Sequence, residues 1–185
     1  CKQWGRKPDE IDSSILNRVQ VALSYDNRYF SNRYQFMPKD GFTKLFERLL
    51  DHKNIEVHLA CNAIDHISFN ELDNSIQFMD LGPDVPILYT GALDRLFNYV
   101  YGQLPYRTLR FEYETHKCDY YQSAPFIVYP LHETLTRITE FKRVTGQILP
   151  DITTIVKEYP MEYTKRSTMD PFYPIPSEGN QELFL

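Results

Sequence analysis

Glycine is scarce in this chain, and no two of its seven glycines are separated by a single residue. That excludes the G-x-G-x-x-G turn of a dinucleotide-binding βαβ unit and the P-loop from these residues. A protein using a dinucleotide would need that loop elsewhere. Cysteine is scarcer still: Cys1, Cys61 and Cys118 are odd in number and far apart. They offer no disulfide framework and no paired zinc-ligand spacing, so a reducing, cytoplasmic setting is expected. Histidines at positions 52, 58, 66, 116 and 132 make no HExxH or similar pattern, so no metal site is expected. There is no Gly-x-Ser-x-Gly elbow and no convincing Ser–His–Asp set. No apolar run approaches the length of a membrane span, and no secretory leader is visible. Basic residues are outnumbered, 20 against 25 acidic, for a net charge of −5. This argues against a broad nucleic-acid surface while leaving room for a local arginine cluster. An initiator methionine is also lacking: the chain opens at Cys1-Lys2-Gln3-Trp4-Gly5, and the expectation is a piece of a longer protein.

What is abundant is apolar and aromatic. Of 185 residues, 42% are hydrophobic and 15% aromatic, with 14 tyrosines, enough for a packed core and contrary to disorder. Tyrosine joins a flat apolar face to a hydroxyl, which suits a sugar or nucleotide surface and an ordinary sheet core equally. The stretch 87–107 organises the reading: an apolar run (Ile87 to Tyr89), a turn at Thr90-Gly91, then Leu93, Leu96, Phe97 and Val100 at helical spacing, with Gly102 placed to end the helix. Phe42, Leu45, Phe46 and Leu49 predict a second helix after an Asp40 cap, with its stripe in the core. Residues 9–18 suit a short helix or a loop, and 19–25 a strand. Ile55, Val57 and Leu59 alternate with Glu56 and His58 as in a strand. Residues 63–69 and 75–79 flank a hairpin turn at Leu72-Asp73-Asn74. From Leu109 onward, apolar residues alternate with Arg110, Glu112 and Glu114, as in an antiparallel strand with one wet face. Residues 126–129, 136–142 and 152–159 read as further strands, and Ser177 as the cap of a last helix.

The residues left for chemistry are arginine and tyrosine. Arg18, Arg28, Arg33, Arg107 and Arg137 fall at turns or on strand segments. A guanidinium offers a planar fork of donors to phosphate and stays charged, so two of them with tyrosine hydroxyls nearby would hold a diphosphate. Each taken singly also reads as a solvated surface residue. Glu158, at a strand end, reads either as a salt-bridge partner or as an acceptor for a sugar or cofactor hydroxyl.

Several blocks fall together in order: Lys2-Gln3-Trp4-Gly5-Arg6, Tyr29-Phe30-Ser31-Asn32-Arg33-Tyr34-Gln35, Asp40-Gly41-Phe42-Thr43-Lys44-Leu45, Tyr89-Thr90-Gly91, Leu104-Pro105-Tyr106-Arg107, Thr136-Arg137-Ile138, Lys157-Glu158-Tyr159-Pro160, Pro171-Phe172-Tyr173-Pro174 and Asn180-Gln181-Glu182-Leu183-Phe184. With these the chain resembles the bacterial UDP-galactopyranose mutases nearly from end to end. The resemblance implies an isomerase that interconverts UDP-galactopyranose and UDP-galactofuranose for cell-wall polysaccharide. It implies reduced FAD, with flavin N5 forming a covalent adduct with the sugar, and so no certain catalytic side chain.

Residue by residue, Arg18 resembles the mobile-loop arginine that closes on the diphosphate, and Arg137 the second diphosphate arginine. Trp4 matches a tryptophan lining the cleft, and Tyr29 and Tyr173 match tyrosines that reach the phosphates. Glu158 and Arg107 fall in the sugar or cofactor neighbourhood, and the Gly41 region resembles a turn of the FAD domain. One departure stands at Val128-Tyr129-Pro130-Leu131, where the family usually has an asparagine in an Asn-aromatic-Thr-Asp run.

The fold expected is α+β. Residues 1–38 and 90–174 form an antiparallel-sheet substrate domain, 39–89 contribute a helix, strand and hairpin to the FAD-binding domain, and 175–185 start a final helix. The partner is UDP-galactose, with no nucleic acid and no membrane span, and a homodimeric parent is compatible with the resemblance. Without the glycine-rich loop the isolated chain is expected to bind FAD poorly and to be inactive. The alternative is a binding-only nucleotide-sugar module without cofactor chemistry.

Overall fold

The structure is a computed structural model that describes residues 2–13, 15, 23–26, 28, 30–70, 75–82, 84–164 and 169–175. The architecture is α+β. The chain divides into two compact units, Cys1–Lys39 with Leu104–Leu185, and Asp40–Gln103. Residues 90–103 therefore lie with the second unit.

The second unit begins with α1 (Gly41–Leu50), entered from Asp40, whose side chain makes no capping bond. Its apolar stripe forms as the spacing predicts, but the expectation that the stripe is core is not met. Phe42, Phe46, Leu49 and Leu50 are all exposed, and no residue of α1 is buried. The helix is amphipathic, yet no described element of this chain covers its face. Residues 55–59 likewise form no strand, and Leu59 is 86% exposed. A strand satisfies its backbone through a neighbour, and no described strand lies beside this one.

The arms of the expected hairpin pair: β1 (Ile67–Asn70) and β2 (Ser75–Phe78) are antiparallel, from Ile67 opposite Phe78 to Asn70 opposite Ser75. Ala63–His66, expected within the first arm, form a 3-10 turn instead, and the turn at 72–74 lies outside the described residues. Ile87 to Tyr89 form no strand, again with no pairing neighbour among the described residues. The helix after Gly91 is shorter than its stripe: α2 spans Leu93–Leu96. Asn98 and Tyr99 take positive φ of 48° and 59°, and the Tyr99 amide reaches back to the Asp94 carbonyl at 2.8 Å. That six-residue closure is a helix stop, placed before Gly102 rather than at it. Phe97 packs on Phe69 and Tyr101, with ring centroids 5.5 and 5.9 Å apart.

In the first unit, the expected 9–18 helix appears among the described residues as 3-10 structure: a turn at Pro8–Glu10, then Ser13 and Ile15, with the Ile15 amide donating to the Asp12 carbonyl at 3.2 Å. Leu23 to Tyr25 carry no strand. The unit is organised by β3 (Tyr106–His116) and β6 (Thr153–Glu162), paired antiparallel from Arg107 opposite Glu162 to His116 opposite Thr153. β4 (Phe126–Val128) and β5 (Arg137–Glu140) extend one side, and β7 (Tyr173–Pro174) closes the other, in the order β4-β5-β6-β3-β7. The strand expected to run to Lys142 turns instead into α3 (Phe141–Thr145), which Gly146 ends at φ +68°. A left-handed residue there suits glycine because a Cβ would meet the following carbonyl.

One face of the sheet holds the tightest core: Ile155 (fully buried), Ile138 and Leu135, with Tyr129 and Tyr159 against them. Glu140 is buried below α3 and accepts from the Tyr121 and Gln122 amides, Thr153 Oγ1 and Arg143 Nε. Lys142, also buried, donates to the Asp119 and Ile152 carbonyls at 2.7 and 3.0 Å. These two charges tie residues 119–122 to the sheet and meet the rule that a buried charge needs partners.

Candidate functional site: an arginine face on the antiparallel sheet

Side chains alternate across a strand, and directly opposed residues share a face. Arg137 opposes Glu158, and Glu158 opposes Phe111 on its other side. Arg107 has the same parity as Phe111 along β3, and Tyr173 opposes Arg107. Arg137, Glu158, Phe111, Arg107 and Tyr173 therefore point from one face of the sheet. The row through Arg107 lies four residues along β3 from the row through Phe111, or roughly 13 Å.

At the first row, the Arg137 guanidinium grips the Glu158 carboxylate with both arms: Nε donates to Oε1 at 2.9 Å and Nη2 to Oε2 at 2.8 Å. The carboxylate side is almost buried, at 8% exposure, while the arginine side is 43% exposed. The Phe126 ring lies 5.7 Å from the guanidinium carbon. Two of the five guanidinium N–H groups serve Glu158, so three remain. Val128 stands opposite Arg137 on β4 and is exposed.

At the second row, Arg107 turns to the chain start. Its Nε donates to the Gln3 carbonyl at 3.3 Å and its Nη2 to the Lys2 carbonyl at 3.4 Å. Burial pushes the Arg107 pKa down from its ordinary value; the Glu162 carboxylate opposes this, and Arg6 adds to it. The Trp4 ring meets Tyr173 edge-on at 6.1 Å, and Phe172 meets Phe111 edge-on at 6.0 Å. Aromatic side chains thus run along the β3–β7 side of the face.

Of the residues singled out from sequence, Trp4, Arg107, Arg137, Glu158 and Tyr173 come together in this one unit. Arg137 and Glu158, read separately from sequence, are partners. Arg18 and Tyr29 lie outside the described residues. Gly41 belongs to the other unit, at the start of α1, with φ +83° and open space around it. Lys2 was not singled out: its ammonium is held by three backbone carbonyls more than a hundred residues away, which no local pattern reveals. Among the described residues, no group of three or more His, Cys, Asp or Glu is placed to hold a metal. No helix among them is long and apolar enough to cross a membrane.

The family model described as GLF, UDP-galactopyranose mutase, matches residues 1–185. The chain belongs to the UDP-galactopyranose mutase family. Among curated relatives, it is 37% identical to a UDP-galactopyranose mutase of Mycoplasma pneumoniae, over 99% of this chain and 46% of that protein. It is 35% identical to a dTDP-fucopyranose mutase of Escherichia coli, over 94% of this chain and 44% of that protein. It is 34% identical to a probable UDP-galactopyranose mutase of Klebsiella pneumoniae, over 98% and 44%. The chain spans about half the length of the mutases it matches. Each of these relatives is named as a mutase of a nucleotide-linked pyranose.

Proposed function

We propose that this chain forms the substrate-binding sheet of an enzyme that interconverts the pyranose and furanose forms of UDP-galactose, within a longer protein. The observation that carries the reading is the Arg137–Glu158 fork, half exposed on the same face as Arg107, Tyr173 and the Trp4 edge. The carboxylate fixes the guanidinium plane, and the remaining donors meet a pyrophosphate. Such charge-assisted bonds are short and orient the anion. They also oppose the negative charge that builds on a departing nucleotide. Because Glu158 neutralises Arg137, a second cation is needed, and Arg18 is the candidate from the resemblance. Tyr173 adds a hydroxyl toward the phosphates, Trp4 bounds the cleft, and Arg107 holds the segment that carries Trp4.

Reduced FAD is the proposed cofactor of the longer protein, which belongs in the cytoplasm. The residues present do not fit its pyrophosphate. No two glycines are spaced one residue apart, and a Cβ at Gly41 would meet nothing within 4 Å, unlike the crowded backbone of a phosphate cradle. Residues 39–89 are proposed to belong to the FAD-binding domain. The uncovered face of α1 and the unpaired segment 55–59 support that reading, since both need neighbours to become an ordinary core helix and sheet strand.

The test is calorimetry with UDP. Binding that Arg137→Ala weakens about tenfold, or ~1.4 kcal/mol, is expected; binding unchanged by the substitution overturns the diphosphate site. For the longer protein, flavin-dependent conversion of UDP-galactofuranose to UDP-galactopyranose is expected. UDP binding with no conversion would leave a binding-only module.

A further inference from the structure

We propose that Lys2 is a positioning residue for the substrate face: its ammonium locks the strap 2–5 onto the β4–β5 turn and so sets Trp4 against Tyr173. The functional half of this inference rests on the nucleotide-sugar reading above.

Lys2 Nζ donates to the carbonyl oxygens of Tyr129, of His132 at 2.7 Å and of Leu135 at 2.6 Å. An ammonium has three protons, and here each has its own acceptor. The three carbonyls converge because of the turn's internal bonds. His132 Nδ1 accepts from the Thr134 and Leu135 amides at 3.2 and 3.0 Å, which places the imidazole proton of a neutral ring on Nε2. The turn is anchored in turn by the Tyr129 amide on the Thr136 carbonyl and the Thr136 amide on the Glu158 carbonyl. Lys2 is thus joined to the backbone of the turn that links Val128 to Arg137.

The strap is held at its other side by the Arg107 guanidinium on the Lys2 and Gln3 carbonyls. Gly5 allows that approach: it has φ +65°, and a Cβ there would stand 2.8 Å from Arg107 Nη1. The strap therefore bridges the β4–β5 turn and the β3–β7 edge, with Trp4 next in the chain after the two anchored residues, Lys2 and Gln3. Neither anchor works through substrate contact. Lys2 spends its charge on carbonyls and leaves anion binding to the arginines. A displacement of about 1 Å in a substrate-lining group is enough to cost rate or affinity.

The experiment uses the 185-residue chain, whose single tryptophan makes intrinsic fluorescence a report on Trp4 alone. Lys2→Met is expected to shift Trp4 emission to the red and raise its acrylamide quenching, with far-UV circular dichroism unchanged. UDP affinity is expected to fall about tenfold, and Lys2→Arg, which keeps the charge but not the compact ammonium, to fall between. Unmoved Trp4 emission in Lys2→Met overturns the strap. Moved emission with unmoved UDP affinity overturns the positioning role. If Lys2→Met does not fold, amine acetylation of the wild-type chain decides: Lys2 should label more slowly than the exposed Lys44, and equal rates overturn the cage. A failure of Arg137→Ala to alter UDP binding counts against the nucleotide-sugar reading and leaves the fluorescence result standing.

Discussion

Arg137 and Glu158 face each other across the β5–β6 ladder in a two-armed ion pair whose acid end is almost dry and whose basic end is half wet. The asymmetry predicts unequal costs on cutting it. Arg137→Met strands a buried carboxylate and should cost about 1–3 kcal/mol. The double substitution Arg137→Met with Glu158→Gln should recover part of that loss. Urea unfolding of the two single variants and the double closes the cycle; simple addition of the two single effects would show that the pair is not coupled.

Glu140 should make the sheet acid-sensitive. Burial pushes its carboxyl pKa up, but bonds from Thr153, the Tyr121 and Gln122 amides, and the Arg143 charge outweigh that and leave it below the ordinary glutamate value. The unfolded chain then binds the proton more readily. Its contribution is complete above the ordinary glutamate pKa of about 4.3 and is lost as pH falls through the lower folded value. Urea midpoints should therefore fall from about pH 6 to about pH 3, with a shallower fall in Glu140→Gln. That variant should also be about 1–3 kcal/mol less stable at neutral pH, because one amide cannot accept from four donors.

The exposed stripe of α1 predicts a substitution pattern opposite to that of a core helix. Phe46→Glu and Leu49→Glu should change the stability of this chain by no more than about 0.5 kcal/mol. They should also lower any self-association seen by sedimentation, since Phe42, Phe46 and Leu49 form one apolar stripe open to solvent. A loss of several kcal/mol would mean that the stripe is covered.

Gly5→Ala tests the strap from its backbone. The positive φ costs about 1 kcal/mol for any residue with a Cβ, and the new methyl displaces the Arg107 guanidinium. Trp4 fluorescence should move in the same direction as in Lys2→Met, with the sheet signal in circular dichroism intact.

The sheet was legible where alternation coincided with a neighbour. Leu109, Phe111 and Tyr113 alternate with charges and form β3; Ile55, Val57 and Leu59 alternate just as cleanly and form nothing. Alternation records which side of a strand is apolar, and it carries no information about whether a second strand lies alongside. The same distinction explains α1, where periodicity gave the helix and its face but not a cover for that face. In the candidate site, residue types pointed to Arg107, Arg137 and Glu158. Their grouping depends on the register that puts 137 opposite 158, which is a property of pairing rather than of either segment. Lys2 was illegible for a plainer reason: its acceptors are carbonyls, which every residue has.

The β3–β6 ladder also limits how this chain can change length. Opposed residues run unbroken from Arg107 and Glu162 to His116 and Thr153, and a one-residue insertion within either strand would invert everything beyond it. With the insertion in β6 beside Glu158, that carboxylate would leave Arg137 and turn toward Ile155's side of the sheet. Insertions and deletions that preserve the face are consequently confined to the connections, such as 117–125 and 146–152, and the ladder serves as a ruler that descendants of this sequence must keep.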